Sequence, residues 1–375
     1  MRILHIITGL AAGGAEQQLR LLLRNMPDDH HCEVVTLENP GTVAEGIRQD
    51  GTPVTHLAMR GNRDIAALFK LAGFIRRGRF DIVHTHLYRS CVYGRLAARL
   101  AGVSTIVATE HSLLKNSIEG RSTTVGVRLL YTATERLGSC TVAVSSEVSE
   151  CLSSWGIPAQ RIRKIANGID ASAYTSTSVE HAKSRREVRT QLGIPLDSYV
   201  IGGVGRLVPG KQFDVLIDAL ASMPAALSDG RVPWLVLVGA GQQLDALTRQ
   251  AREAQLADRT VFLGERDDVS RLLTALDVLA APSIVETFGL SLLEALAAGL
   301  PVVYTSGPSL AELPRHYAGH AYYSPSDGRS YASRLSTVAA ECVPPLTPPP
   351  VVGMYDISQV ADELTCLYAE LVARR

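Results

Sequence analysis

No apolar stretch of this 375-residue chain approaches the ~18 residues that a membrane-spanning helix requires, which excludes a helical integral membrane protein. The opening Met1-Arg2-Ile3-Leu4-His5-Ile6-Ile7-Thr8 is too short an apolar run for a secretory signal and leads straight into glycines, so it reads as a buried first strand. Cysteine is sparse. Cys32, Cys91, Cys140, Cys151, Cys342 and Cys366 are scattered without Cys-x-x-Cys spacing, and a chain this long needs no disulfide staples. They read as reduced thiols in the cytoplasm. Net charge is missing as well, with 37 Lys+Arg against 37 Asp+Glu. The balance is uneven along the chain: residues 1–170 hold 20 basic against 15 acidic side chains, and the remainder 17 against 22. That asymmetry points to an anionic partner for the first half, such as a membrane surface or a lipid phosphate.

What is present describes a folded protein. Hydrophobic residues make up 46% and charged residues 20%, and the length suits two domains better than one core. Short β-branched runs alternate with helical patterns, which predicts βα units around parallel sheets. The expected strands of the first half are 3–8, 33–37, 54–57, 82–85, 105–109 and 141–144, with helices over 15–24 and 65–77. After the turn Asn167-Gly168-Ile169-Asp170 the pattern breaks, and a segment rich in Ser, Thr and Ala reads as a linker. Strands resume at 199–203, 235–238, 260–263, 278–281 and 302–304. The expected division is residues 1–170, a linker over 171–190, a second domain over 191–355 and a terminal helix over 356–375. Five prolines between Val343 and Val351 rule out regular helix there. Beyond them Val360, Leu364, Leu367 and Leu371 recur at helical spacing, on a helix placed to pack across to the first domain.

Open α/β sheets bind ligands at the carboxyl ends of their strands, and three motifs stand there. Thr8-Gly9-Leu10-Ala11-Ala12-Gly13-Gly14-Ala15-Glu16 follows the first strand and opens a helix. Gly13 and Gly14 let a ligand approach the backbone, and a helix start favours an anion. The spacing does not meet the Gly-x-Gly-x-x-Gly dinucleotide fingerprint. Gly203-Val204-Gly205-Arg206-Leu207-Val208-Pro209-Gly210-Lys211 sets Arg206 and Lys211 around a glycine turn, a layout suited to a diphosphate, although a solvated charged loop is the plain alternative. It is not a P-loop, because Gln212 stands where Ser or Thr is required. Glu286-Thr287-Phe288-Gly289-Leu290-Ser291-Leu292-Leu293-Glu294 then leads into a helix ended by Gly299 and Pro301. Its start presents amide groups to a phosphate, Glu286 in the loop can bond sugar hydroxyls, and Glu294 one turn in can reach a ribose. Glu294 is hard to explain as a surface residue with Leu292, Leu293, Ala295 and Leu296 around it.

Together these motifs resemble the retaining glycosyltransferases of family 4, whose GT-B fold places two Rossmann-like domains around a central cleft. Glu286 and Glu294 match that family's Glu-x7-Glu motif, Gly205-Arg206 with Lys211 its diphosphate clamp, Gly13-Gly14-Ala15-Glu16 its glycine loop, and Asn167-Gly168-Ile169-Asp170 its interdomain turn. The resemblance spans nearly the whole chain. It implies a first domain for the acceptor and a second for a nucleoside-diphosphate sugar, which serves as co-substrate without a further cofactor. Arg206 and Lys211 would neutralise the leaving diphosphate, Glu286 would hold sugar hydroxyls and Glu294 the ribose. The amides of Phe288, Gly289 and Leu290 would complete the cradle. His111, in Thr109-Glu110-His111, matches the family histidine beside the donor sugar, and His86 is placed to shape the acceptor side.

His84-x-His86 with His111 also permits a metal reading, since alternate strand residues share a face. No Cys or carboxylate pair stands beside them and Asp-x-Asp occurs nowhere, so no metal is expected. No nucleophilic carboxylate stands out in the first domain, so the family pattern implies front-face substitution with retained configuration. The expected acceptor is a glycan or a lipid-linked acceptor, and the expected setting bacterial surface polysaccharide or glycolipid assembly. No nucleic-acid partner is expected. The apolar and basic run Phe69–Arg79 reads either as contact with the inner face of an anionic membrane or as a sheet-packed helix with a charged outer face. Two rivals remain: an epimerase or phosphorylase on the same plan, and a catalytically silent glycan- or nucleotide-binding partner.

Overall fold

A computed structural model describes residues 1–11, 13–114, 117–119, 121–175 and 177–374. The chain forms two compact units, Met1–Gly168 with Tyr355–Arg375, and Ile169–Met354. Each is an α/β unit around a parallel sheet.

The first unit contains β1 (Arg2–Ile7), β2 (His31–Thr36), β3 (Val54–His56), β4 (Ile82–His86) and β5 (Thr105–Glu110). Then come β6 (Leu113–Leu114), β7 (Ser117–Ile118) and β8 (Arg121–Ser122), followed by β9 (Cys140–Ala143) and β10 (Ile162–Lys164). Seven of these form one sheet in the order β10-β9-β5-β4-β1-β2-β3, while β6, β7 and β8 make a small antiparallel sheet. Both faces of the large sheet are covered, which is why its strands read as near-continuous apolar runs. On one face Ile3, Ile82, Val107 and Val142 pack with Leu22 of the helix Gly14–Arg24 and with Ala361, Leu364, Leu367 and Tyr368 of the helix Ile357–Ala373. On the other, Leu4, Ile6, Val83 and Ile106 meet Leu71 and Ile75 of the helix Ile65–Gly78 and Ala97 and Ala98 of the helix Tyr88–Leu100. The terminal helix therefore belongs to the first unit. Gly168 shows how closely it is seated: a Cβ there would lie 2.7 Å from Ile357 Cα.

The second unit has β11 (Tyr199–Val204), β12 (Pro233–Val238), β13 (Thr260–Phe262), β14 (Val278–Ala281), β15 (Val302–Tyr304) and β16 (Ala321–Tyr323). Their order is β13-β12-β11-β14-β15-β16. The strands β10 and β16 escape the sequence pattern because each is a three-residue edge strand, too short and too incompletely covered to read as a buried apolar run.

The linker expected over 171–190 is a correction. Ser178–Gln191 is a helix of the second unit, opened by a capping box in which Thr177 and Glu180 satisfy each other's backbone groups. It carries no apolar stripe because polar groups dock it. Arg185 and Arg189, one turn apart, bind the two oxygens of Asp277 at 2.6 and 2.7 Å. Arg189 is fully buried and also donates to the carbonyls of Ala275, Leu196 and Ser198. A buried charge stripped of its partner costs about 3–5 kcal/mol, so this helix is fixed by electrostatics that hydrophobic periodicity does not register. The proline-rich segment likewise ends in a short helix, Pro350–Met354, with Pro350 at its first position, where the missing N–H matters least.

All six cysteines are unpaired thiols. No helix of the described residues is long and apolar enough to cross a membrane.

Candidate active site

In the second unit the chain runs outward from β11 through β12 to β13, then returns to place β14 on the other side of β11. The crevice above β11 and β14 is thus the topological switch point, where ligands of open α/β sheets bind. The loops after these strands carry Lys211 and Glu286, and the two side chains form an ion pair there. Both are largely buried, with 22% and 13% of their side chains exposed. Arg206, on the same loop as Lys211, is exposed. The loop is knitted to its neighbours by backbone bonds, from Gly205 N–H to Val238 O at 2.9 Å and from Leu207 N–H to Ala240 O at 2.9 Å. Gly239 makes this possible: a Cβ there would fall 1.9 Å from Gly205 O.

Beyond Glu286 the chain enters the helix Leu290–Ala297 through Gly289, whose φ of 94° is the left-handed conformation that favours glycine. Phe288 is buried and anchors this corner, its carbonyl accepting from Ser309 N–H at 2.9 Å. Leu292 N–H donates to Gly289 O at 3.1 Å in the first turn, and a helix start of this kind favours an anion. Leu292, Leu293, Ala295 and Leu296 are buried in the unit's core. Glu294 points instead toward Tyr174 and accepts a hydrogen bond from its hydroxyl. Burial raises the Glu294 carboxyl above its usual range, opposed by that bond, and burial beside Glu294 raises Tyr174 as well. Tyr174 carried no signal of its own, because it lies in the segment read as linker.

In the first unit the glycine loop follows β1 as expected, with Gly13 capping the helix that Gly14 begins. Ala12 of that motif lies outside the described residues. Glu16 folds back over Gly13, so that a Cβ on Gly13 would meet its carboxylate at 2.3 Å. This helix start therefore already carries a negative group.

His111 follows β5 and is buried. It does not stand alone. His86 Nδ1 lies 3.2 Å from His111 Nε2, and His5 Nδ1 lies 3.1 Å from His86 Nε2. The Asn167 side chain acts on His111 against the effect of burial. His84 is bracketed by Tyr368 Oη at 2.5 Å and Thr109 Oγ1 at 2.7 Å. Burial depresses all four imidazoles, His5 to about 3 and His111 to about 4, and for His84 and His86 the neighbouring rings add to the effect. They are neutral at physiological pH. His86, placed by resemblance on the acceptor side, is instead 1% exposed and bonded within this cluster, which is a correction. Among the described residues the group with metal-like spacing is His5, His84 and His86, whose nitrogens lie within 4.8 Å of one another, rather than the His84, His86 and His111 set. Both nitrogens of His84 and of His86 are committed to hydrogen bonds, which a metal would have to break. His5 and Tyr368 were missed because a polar residue inside an apolar run carries no period of its own.

Residues 12–173 match the family described as Glycosyltransferase Family 4, and residues 184–339 match Glycosyl transferases group 1. The UDP-Gal:alpha-D-GlcNAc-diphosphoundecaprenol alpha-1,3-galactosyltransferase of Escherichia coli is 29% identical over 252 residues, 65% of this chain and 62% of its own length. A D-inositol 3-phosphate glycosyltransferase of Mycobacterium tuberculosis is 33% identical over 241 residues, 60% of this chain and 47% of its own. The chain thus spans less than two thirds of the curated relatives it matches. Among solved structures, Anabaena HepE in complex with UDP and glucose superposes with a TM-score of 0.83 at 22% identity, over 99% of this chain and 100% of that one. A glycosyltransferase of Rickettsia africae gives 0.77 at 16%, over 99% and 98%. At these identities the likeness is one of fold. Two glycosyltransferase domains thus stand in tandem over most of the chain, one matching Glycosyltransferase Family 4 and one matching Glycosyl transferases group 1, on a fold shared with solved glycosyltransferases.

Proposed function

We propose that the chain is a retaining glycosyltransferase that moves a sugar from a uridine diphosphate donor to a hydroxyl of a phosphate-bearing glycolipid or lipid-linked glycan. The meeting of Lys211 and Glu286 at the switch point of the second sheet carries this proposal. One cation and one carboxylate stand where a diphosphate and its sugar would lie side by side. Uridine is supported by the UDP in the HepE complex and the UDP-Gal of the Escherichia coli relative. A phosphate-bearing acceptor is supported by the diphosphoundecaprenol and inositol phosphate in the relatives' names, and by the basic balance of residues 1–170.

We assign the donor to the second unit and the acceptor to the first. Arg206, Lys211 and the amides of Phe288, Gly289 and Leu290 receive the diphosphate, Glu286 the sugar hydroxyls and Glu294 the ribose. Within the first unit, His111, Gly13 and Gly14 are the residues assigned to substrate contact. The acceptor oxygen bonds to the anomeric carbon on the face from which the phosphate leaves. The carbon–oxygen bond to the phosphate breaks, and the departing phosphate oxygen takes the acceptor proton. Cationic side chains and a helix terminus supply the electrostatic stabilisation, so no metal is required. The test incubates purified protein with UDP-, GDP- and ADP-sugars and with undecaprenyl-diphosphate-linked and inositol phosphate acceptors, in EDTA. Transfer from a UDP-sugar with the donor's anomeric configuration retained is expected. Inverted product, donor conversion without acceptor, or no turnover of any UDP-sugar would overturn the assignment.

For the membrane we assign the outer face of the helix Ile65–Gly78. Its inner residues Ala67, Leu71, Ala72 and Ile75 are buried, while Ile65 and Phe69 are 66% and 64% exposed beside Lys70, Arg76 and Arg77. Exposed apolar side chains next to cations suit an anionic bilayer surface. The protein is expected to float with phosphatidylglycerol vesicles at low salt and to release as salt screens the charges, with Phe69→Glu weakening the association. Absence of flotation at low salt would remove the membrane from the proposal.

A further inference from the structure

The first unit has a switch point of its own. From β1 the chain runs outward through β2 to β3, then returns to place β4 on the other side of β1. Thr36, Ile7 and His86 stand in one row across β2, β1 and β4, so the loops beyond them share the crevice above β1. Glu38, two residues past Thr36, and Arg89, three past His86, meet there as an ion pair. The Glu38 loop is tied to the end of β1, with Glu38 N–H donating to Thr8 O at 2.8 Å and Leu10 N–H to Asn39 O at 3.1 Å. On the side of Arg89, the hydroxyls of Thr8 and Ser90 lie 3.1 Å apart.

Arg89 is held differently from Arg20, Arg99 and Arg161. Arg20 gives two hydrogen bonds to Asp50, Arg99 one to the Leu137 carbonyl, and Arg161 bonds both Glu135 and the Gly138 carbonyl. Arg89 Nη1 is buried and faces Glu38, yet it makes no hydrogen bond among the described residues. Charge alone holds it. The side chain is 16% exposed, and a cation drawn that far from water ordinarily has acceptors for its N–H groups. The helix start beside it does not supply an anion site in its place, because Tyr88 N–H already donates to Glu119 Oε1 at 2.7 Å. The chain reaches Arg89 through Leu87, whose φ of 72° is a conformation that side chains rarely adopt and that clusters at ligand sites.

We propose that Arg89 recognises the phosphate of the acceptor and that Glu38 competes with that phosphate for the guanidinium. This rests on the phosphate-bearing acceptor proposed above and on its assignment to the first unit. A guanidinium offers paired N–H groups in the plane that two phosphate oxygens match, which an ammonium cannot do. A phosphate monoester carries about −1.5 to −2 charges near neutral pH, against one on Glu38, and it supplies the acceptor that Nη1 lacks. Glu38 is the more exposed partner, at 37%, and it turns to water at little cost, since partly exposed ion pairs contribute little. An acceptor without phosphate meets a neutral pair and gains nothing from it. The pair thus selects acceptors by charge, and its two members act with opposite sign.

That opposition is what the experiment reads. The whole chain, saturated with UDP so that the donor cradle is filled, is titrated by calorimetry with inositol phosphate, with inositol and with an undecaprenyl-diphosphate-linked sugar. The wild type is expected to bind at least one phosphate-bearing probe, and the one it binds names the source of the phosphate. Arg89→Gln is expected to weaken that binding by about 10–100-fold, the worth of hydrogen bonds between charged groups, and Arg89→Lys to recover only part of it. Glu38→Gln removes the competitor and is expected to tighten binding by up to about fivefold, a gain that misfolding cannot produce. Arg89→Gln that leaves binding unchanged, or Glu38→Gln that weakens it, marks the pair as structural and overturns the proposal. A wild type that binds neither phosphate-bearing probe overturns it as well. The expected binding pattern without sugar transfer would sink the proposed activity and leave this site standing. Transfer to a phosphate-bearing acceptor that Arg89→Gln does not impair would sink this site and leave the activity.

Discussion

Lys211→Ala is expected to lower kcat by about 10²–10³-fold, the range seen when one preorganised group facing developing charge is removed. The side chain sits at the carboxyl end of β11, and its stem passes close to Gly205, with Cε 3.5 Å from the position a Cβ would take there. Its ammonium pairs with the Glu286 carboxylate. A diphosphate arriving at the switch point would take over the ammonium as the carboxylate turns to the sugar. The pair would thus prepare both partners for their ligands. Two consequences follow from that sharing. Glu286→Ala should also cost turnover, because sugar hydroxyls lose their acceptor and Lys211 loses its guide. The double variant should cost less than the two single losses multiplied, since groups that act as a unit are not additive. Stability should change little, because partly exposed ion pairs contribute about 0–1 kcal/mol. Steady-state kinetics on the three variants, with thermal melts as a control, give the answer. Near-normal transfer by both single variants would remove Lys211 and Glu286 from the site.

The parts of this molecule that could be read from sequence are those whose physics is local. Parallel strands covered on both faces announce themselves as apolar runs, and all eleven expected strands start within two residues of expectation, from β1 at Arg2 to β15 at Val302. Gly289 and Gly299 bound a helix because their positive φ ends or begins one, and that too is local. The Ser178–Gln191 helix was missed for the opposite reason. Its anchor is Asp277, some ninety residues away in sequence, and only folding brings Arg185 and Arg189 to it. Tyr174 was lost with the same segment. The histidine chain shows a mixed case. His84 and His86 stand out by their alternation and His111 by its strand-end position, but Asn167 had the appearance of a turn residue and nothing more. Its partnership with His111 needs the sheet to be built first.

Glu294→Ala is expected to raise KM for a UDP-sugar by roughly 10–100-fold with a smaller change in kcat, because a charged acceptor bonded to a hydroxyl is worth about 1.5–3 kcal/mol. The physical case for Glu294 as a ligand group is its cost. Leu292, Leu293, Ala295 and Leu296 around it are buried in the core, and Tyr174 supplies a hydrogen bond against the desolvation that raises its pKa. A carboxylate kept in such a place has a use for its remaining lone pairs. The raised pKa also fixes the sign of a stability effect. The folded state holds the proton more tightly than the unfolded chain, so the group's contribution is full below the ordinary glutamate range and is lost as pH rises through the raised value. Glu294→Gln, which cannot ionise, should therefore lose less stability than the wild type between mild acid and neutral pH. The ribose contact has a sharper test, because the ligand can be altered as well as the protein. Calorimetry of UDP and 2′-deoxy-UDP should show the wild type favouring UDP, and Glu294→Ala binding the two alike. Tyr174→Phe should keep the preference while weakening both, since it removes the support and leaves the acceptor. A preference for UDP that survives in Glu294→Ala would mean that the ribose is read elsewhere and that this carboxylate serves only Tyr174.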